Sequence, residues 1–368
     1  MKLIRWPSIE QFRNVVRNVE HKASYIGMDE NGDAMYNNLR PKPTLRFEGT
    51  VKAHGTNGSI AFGHDGTVWC QSRENIITPE KDNAGFAMFT TVIPIFDTFE
   101  RIAAASAALF DDQEFDTTDK DLVIFGEWCG NSIQKGVALN QLRKMFIIFG
   151  IAFVDGDEQK TYLTREQTEK VLSEFVTKPT PEIDGSVPIY SIYDFPCYEV
   201  QIDFENPHEV VNMLNEITER VGDECPIGKA LGARPENGPM TGEGVVWRCV
   251  TPGYEDSGFW MKVKDERHSK SKVKTLATVD VEKINNIKAL AERLAHEGRL
   301  EQMCQQVFDT LNGGELDIKK MGEFIKAVMQ DIFKEDVDVI AASGFTGKDI
   351  NGPVSKIARD FLMQKLEV

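Results

Sequence analysis

No apolar run in this chain is long enough to span a bilayer, and residues 1–7 lack the apolar stretch of a signal peptide. The sequence therefore points to a cytoplasmic protein with no membrane association. Close cysteine pairs are missing too. Cys70, Cys129, Cys197, Cys225, Cys249 and Cys304 are scattered, which gives neither the spacing of a zinc site nor a disulfide framework. Positive charge is in deficit: 42 Lys and Arg stand against 58 Asp and Glu, for a net charge of -16. Proteins that coat nucleic acid nonspecifically are basic overall, so that class is disfavoured. A nucleic-acid enzyme is not excluded, because local potential governs binding. One run is locally basic: Lys262, Lys264, Arg267, Lys270, Lys272 and Lys274 face only Asp265 and Glu266.

What is present suffices for a sizeable core. At 368 residues with 41% hydrophobic content, two domains are expected. Ser8 and Gln11 have the spacing of a capping box, followed by Ile9, Phe12, Val16 and Val19, which predicts a first helix. Alternation over 45–52 predicts a half-buried strand delivering Lys52 to its end, with His54-Gly55-Thr56-Asn57-Gly58 as a loop. Further strands are predicted at 59–62, 67–72, 122–125 and 145–153, and a buried helix over 86–109. Residues 155–242 read as short helices elaborating the sheet, one of them capped at Thr164-Arg165-Glu166-Gln167. Strands return at 242–248 and 259–264. Beyond residue 275 helical patterns dominate, with breaks at Gly298, 312–314 and 344–353. The expected domains are 1–275 and a helical 276–368.

Several residues in this framework suggest chemistry. A lysine at a strand end before a small, polar loop can hold a phosphate or, once deprotonated, attack phosphorus. Arg73 follows a neighbouring strand. Glu127 lies between glycines after an apolar strand, where its charge needs a partner. Phe149 is a core residue by default that could also stack on a base. Glu243 again lies between glycines, and Lys262 and Lys264 project from one strand face, where two like charges call for an anion such as phosphate.

The ordered set of Lys52, His54, Asn57, Arg73, Glu127, Phe149, Glu243, Lys262 and Lys264 resembles the covalent nucleotidyltransferases, the superfamily of ATP-dependent ligases and capping enzymes. Lys52-Ala53-His54-Gly55-Thr56-Asn57, with His54 where DNA ligases and capping enzymes typically have aspartate, is similar to the RNA ligase 2 family of T-even phages and trypanosome RNA-editing ligases. Gln134-Lys135-Gly136 adds to the likeness; Gly150 departs from it, because the family often has aspartate there. The resemblance implies an α+β fold: an ATP-grasp-like ligase adenylation domain with antiparallel sheets, then a helical C-terminal domain. It implies an ATP-dependent RNA ligase that forms lysyl-AMP on Lys52 and seals 3′-hydroxyl to 5′-phosphate ends, at nicks in duplex RNA. Lys262, Lys264 and Arg73 would disfavour the protonated amine and stabilise phosphate charge. His54 and Asn57 would organise the phosphates, Val51 and Arg73 contact the nucleotide, Glu127 bind the ribose hydroxyls and Phe149 stack on adenine. Glu243 would hold magnesium, with manganese an acceptable substitute. A monomer acting on RNA is expected, in the host cytoplasm if the chain is phage-borne. The competing readings are a DNA ligase, a capping guanylyltransferase, and a non-catalytic nucleic-acid binder of the same fold.

Overall fold

The computed structural model describes residues 1–110, 115–156, 159–181, 186–265 and 287–366. The chain divides into two compact units, Met1–Asp265 and Glu266–Val368. The expected boundary near Thr275, and most of the basic run after Lys264, lie outside the described residues.

Besides a small antiparallel hairpin of Tyr25–Met28 and Ala34–Tyr36, the first unit contains two large sheets, antiparallel apart from two edge pairings. One has the strand order Glu10–Gln11, Met261–Lys264, Gly244–Cys249, Thr44–Val51, Cys197–Asp203. The other runs Lys160–Tyr162, Met145–Val154, Asp121–Cys129, Thr56–Phe62, Val68–Ser72, Ile76–Ile77, with Ile189–Ser191 added in parallel to Met145–Val154. Period-two alternation works as expected in Thr44–Val51, where Leu45, Phe47, Gly49 and Val51 are buried. The central strands Asp121–Cys129 and Met145–Val154 are apolar along almost their whole length because both faces are covered. Residues 52–55 are the crossover from one sheet to the other.

Several elements differ from the sequence expectation. Ser8 is not the cap of the first helix, which spans Phe12–Ser24 with Gln11 at its N-cap. Glu10 and Gln11 instead pair in parallel with Met261 and Lys262, so a sheet contact takes the residues that the capping box would have used. Residues 86–109 form two helices, Phe86–Thr90 and Ile93–Ala108, because Pro94 has no N–H and favours the first turn of a new helix. The loop expected over 54–58 is shorter: Thr56, Asn57 and Gly58 already belong to a strand. The 155–242 segment is more than an elaboration, since Cys197–Asp203 pairs along the whole lysine strand from Thr44 to Thr50. The Thr164 capping box is present, with Thr164 Oγ1 accepting from Gln167 N and Gln167 Oε1 accepting from Thr164 N.

The described part of the second unit, 287–366, is helical with connecting turns. Leu290, Leu294, Met303, Phe308, Phe324, Val328, Ile350, Val354 and Leu362 form its core. Gly298 does not end a helix but lies in the first turn of Glu297–Phe308, which His296 caps. The break expected at 344–353 is confined to a few residues, because Asp349 accepts from both Thr346 N and Thr346 Oγ1 and starts the helix Gly347–Leu366, with Pro353 inside it. No helix among the described residues is long and apolar enough to cross a membrane.

Candidate active site

The two sheets each supply half of the candidate site. The first carries Lys52, Glu243, Lys262 and Lys264; the second carries Asn57, Arg73, Glu127 and Phe149. The register explains why they meet. Val51 pairs with Val245, Gly244 with Lys264, and Lys52 N–H donates to Gly244 O at 2.8 Å, so Lys52, Glu243 and Lys264 end up on adjacent strand ends. Val51 itself is fully buried. Gly244 has φ +146°, and a side chain there would run into Val263 O, so the close strand approach beside Glu243 requires glycine.

Glu243 is the hub. Its side chain is 4% exposed, and it accepts from Lys52 Nζ at 2.6 Å, His54 Nδ1 at 2.8 Å and Lys264 Nζ at 3.0 Å. Burial by itself would raise the pKa of this carboxyl, but Lys52, Lys264 and His54 outweigh burial and hold it well below the usual range. The anion that Lys264 was expected to need is therefore this carboxylate. A carboxyl held that low stays ionised and accepts from all three groups as an anion.

Glu127 behaves oppositely. It lies within a strand rather than after one, paired with Asn57 on one side and Ile147 on the other. The strand continues past residue 125 because Gly126 leaves space that Phe146 and Ile147 O would deny a side chain. Burial pushes Glu127 up to about 7; Lys52, the Gly55 N–H and Arg73 pull it down, and Glu243 pushes it further up. Its Oε1 accepts from Gly55 N at 2.9 Å, which fixes the crossover. A Cβ on Gly55 would overlap Trp128 O. Two carboxyls in one site with proton affinities pushed apart are a recurrent feature of catalytic centres.

Arg73 follows the strand in which Ser72 pairs with Gly58, which puts it beside Asn57. Its guanidinium lies 3.3 Å from Ser8 Oγ and 4.0 Å from Glu74. Lys262 is half-buried on the same strand face as Lys264. Phe149 is the one residue of its strand that is not fully buried. It is also the extra residue of a β-bulge, since Phe125 pairs with Gly150 and Gly126 with Ile148. Bulges of this kind re-aim a side chain next to active sites.

Sequence reasoning missed four contributors. Gln134 Nε2 donates to Gly55 O at 3.2 Å at the end of the crossover, and Asn83 Nδ2 to Thr56 Oγ1 at 3.1 Å where the next strand begins. Arg248 and Trp6 stand behind Phe149. Only Gln134 had a signal, its place in the Gln-Lys-Gly motif. The departure at Gly150 has a cause: a Cβ there would lie 2.5 Å from the Trp6 ring.

Donor chemistry limits how a metal could be held. Among the described residues no three His, Cys, Asp or Glu side chains converge. Of the two carboxyls in the site, Glu243 is the one held firmly ionised, and a single carboxylate fits a magnesium ion that draws its other oxygens from phosphate and water.

None of the curated proteins matches this chain. Solved structures similar to it include three mutants of a Naegleria gruberi RNA ligase. One, with AMP and Mn, is 15% identical over 73% of this chain and 58% of that one, with a TM-score of 0.40. A second, with ATP and Mn, is 15% identical over 74% and 60%, with a TM-score of 0.40. A third, in its apo form, is 14% identical over 73% and 57%, with a TM-score of 0.41. The chain thus spans less than two thirds of the length of these structures. The RNA ligase family model matches residues 45–264, more than half of the chain and the whole segment from the lysine strand to Lys264. This chain belongs to the RNA ligase family.

Proposed function

We propose that this chain is an ATP-dependent RNA ligase that joins a 3′-hydroxyl to a 5′-phosphate through lysyl-AMP on Lys52, with nicked duplex RNA as substrate. The observation that carries the reading is the convergence of Lys52, His54 and Lys264 on the buried Glu243 carboxylate within the segment matched to the family. A lysine needed only for folding has no use for two further cationic or hydrogen-bonding partners on the same carboxylate.

In the first step the Lys52 Nζ lone pair forms a bond to the α-phosphorus of ATP. The bond from that phosphorus to the bridging oxygen breaks, pyrophosphate leaves with the electron pair, and the nitrogen loses its proton to solvent. The ammonium form of Lys52, which donates to Glu243, must first lose a proton to solvent, and Lys262, Lys264 and Arg73 disfavour that charged form. The same cations and His54, with Asn57 beside them, take the oxygens of the incoming triphosphate. Glu127 receives the ribose hydroxyls, Phe149 stacks on adenine, and Val51 closes the pocket floor. Magnesium, when bound beside Glu243, neutralises charge on the phosphate oxygens. In the second step a 5′-phosphate oxygen of RNA attacks the lysyl-linked phosphorus, breaking the N–P bond and freeing Lys52. In the third the 3′-hydroxyl attacks the RNA 5′-phosphorus and AMP leaves.

A sealing assay with ATP and magnesium tests this on nicked duplex RNA, nicked RNA–DNA hybrid, nicked DNA and single strands. The reading requires sealing, fastest on the nicked RNA duplex. Sealing of DNA alone, or of no RNA substrate, contradicts it.

A further inference from the structure

Residues before the first helix strap the two sheets together. Ile4 N–H donates to Gln71 Oε1 at 3.0 Å, and Ile4 O accepts from Gln71 Nε2, which ties the strap to the second sheet. Glu10 N–H donates to Trp260 O at 3.0 Å, which ties it to the first. Between these anchors Trp6 is 6% exposed. Its ring centroid lies 5.0 Å from Phe149, edge-on, and 5.3 Å from Trp260.

Arg248 completes the arrangement. Its guanidinium lies 4.9 Å from the Trp6 ring and 4.7 Å from the Trp260 ring, and its NH2 donates to Phe149 O at 2.7 Å. Arg248 belongs to the strand that begins beside Glu243, so it links the first sheet to the bulge in the second. Phe149 is the residue that the strand register skips, and its direction depends on what holds it from outside the ladder. Trp6 holds the ring and Arg248 holds the carbonyl.

We infer that Trp6 is a positioning residue for the nucleotide base: it props the Phe149 ring and, with Trp260, clamps Arg248 on the Phe149 carbonyl. The inference rests on the reading of Phe149 as the adenine platform. A purely space-filling residue here could be any large apolar side chain. The edge contact to Phe149 and the cationic partner over the ring face need an aromatic.

The test is covalent labelling of the full chain with α-labelled ATP over a range of ATP concentrations, for the unsubstituted chain, Trp6→Leu, Trp6→Phe and Arg248→Gln, with circular dichroism to score folding. Trp6→Leu and Arg248→Gln should each raise half-saturating ATP roughly ten-fold, the scale of a weakened base-on-ring contact. Trp6→Phe should restore most of that loss. A merely structural role would lower the labelled fraction and leave half-saturation where it was. Unchanged half-saturation in Arg248→Gln, or equal behaviour of Trp6→Leu and Trp6→Phe, overturns the inference. If Trp6→Leu does not fold, Arg248→Gln decides, since it releases the same carbonyl from the other side. Absence of label in the unsubstituted chain overturns the adenylation reading itself, and is thereby distinguishable from failure of the Trp6 assignment.

Discussion

Glu127 makes the stability of this protein depend on pH in an unusual direction. Its carboxyl is pushed up to about 7 by burial, against an ordinary value of 4.5. Between those values the native chain holds a proton that the unfolded chain has lost, so raising the pH favours the unfolded state. The stabilising proton is fully in place below about 4.5 and its benefit is gone above about 7. At about 1.4 kcal/mol for each tenfold difference in proton affinity, the gap costs the native state about 3 kcal/mol at pH 8. That figure is an upper one, since Glu127 keeps some solvent contact that screens its charge. Glu127→Gln keeps an oxygen to accept from Gly55 N and removes the titration. Thermal unfolding of both proteins by calorimetry between pH 5 and 8 should show the unfolding temperature of the unsubstituted chain falling relative to Glu127→Gln, with Glu127→Gln the more stable at pH 8. Parallel profiles for the two proteins would mean that Glu127 holds no such proton in the native state. The same substitution should weaken ATP labelling, because a ribose hydroxyl loses its charged acceptor.

Glu243 titrates in the opposite sense. Its carboxyl is held well below 4.5, so its contribution is present above that value and is lost as the pH falls further. Glu243→Gln should cost about 3–5 kcal/mol at pH 7 by leaving Lys52 and Lys264 without their buried anion. Denaturant unfolding at pH 7 and pH 3.5 checks this, with the difference between the two proteins expected to shrink in acid. Gly55→Ala should destabilise by about 1–3 kcal/mol, the range for overpacking, and reduce labelling at least as strongly as it reduces stability, because the new methyl overlaps Trp128 O and shifts the crossover. Thr164→Ala should cost about 1 kcal/mol by removing a capping box that lies outside the site, with labelling unaffected.

The sequence made the local part of this architecture legible. Alternation identified the strand before Lys52, and the strands expected at 59–62 and 67–72 are present, joined by a turn in which Gly63 N–H donates to Thr67 O and Gly66 takes φ +82°. Motif order identified which charged residues belong together. Non-local pairing was not legible. Nothing around Ser8 announces that Glu10 and Gln11 pair with Met261 and Lys262, some 250 residues away, and that pairing overrides the local cap. Cys197–Asp203 was missed for the same reason, since its partner strand lies about 150 residues earlier. The site shows the same division. Lys52, Glu127 and Glu243 stand out as charges in apolar or glycine-rich settings, whereas Trp6 and Arg248 gain their roles only when the two sheets close around them.

The proposed chemistry makes Lys52 a carrier of adenylate. Incubation of the full chain with ATP and magnesium, acid quenching, digestion and mass spectrometry of the peptide containing Lys52 measures this directly. That peptide should carry the added mass of one AMP on Lys52, reversed by pyrophosphate and absent from Lys52→Ala. Adenylate on another residue, or none on a folded chain, would contradict it.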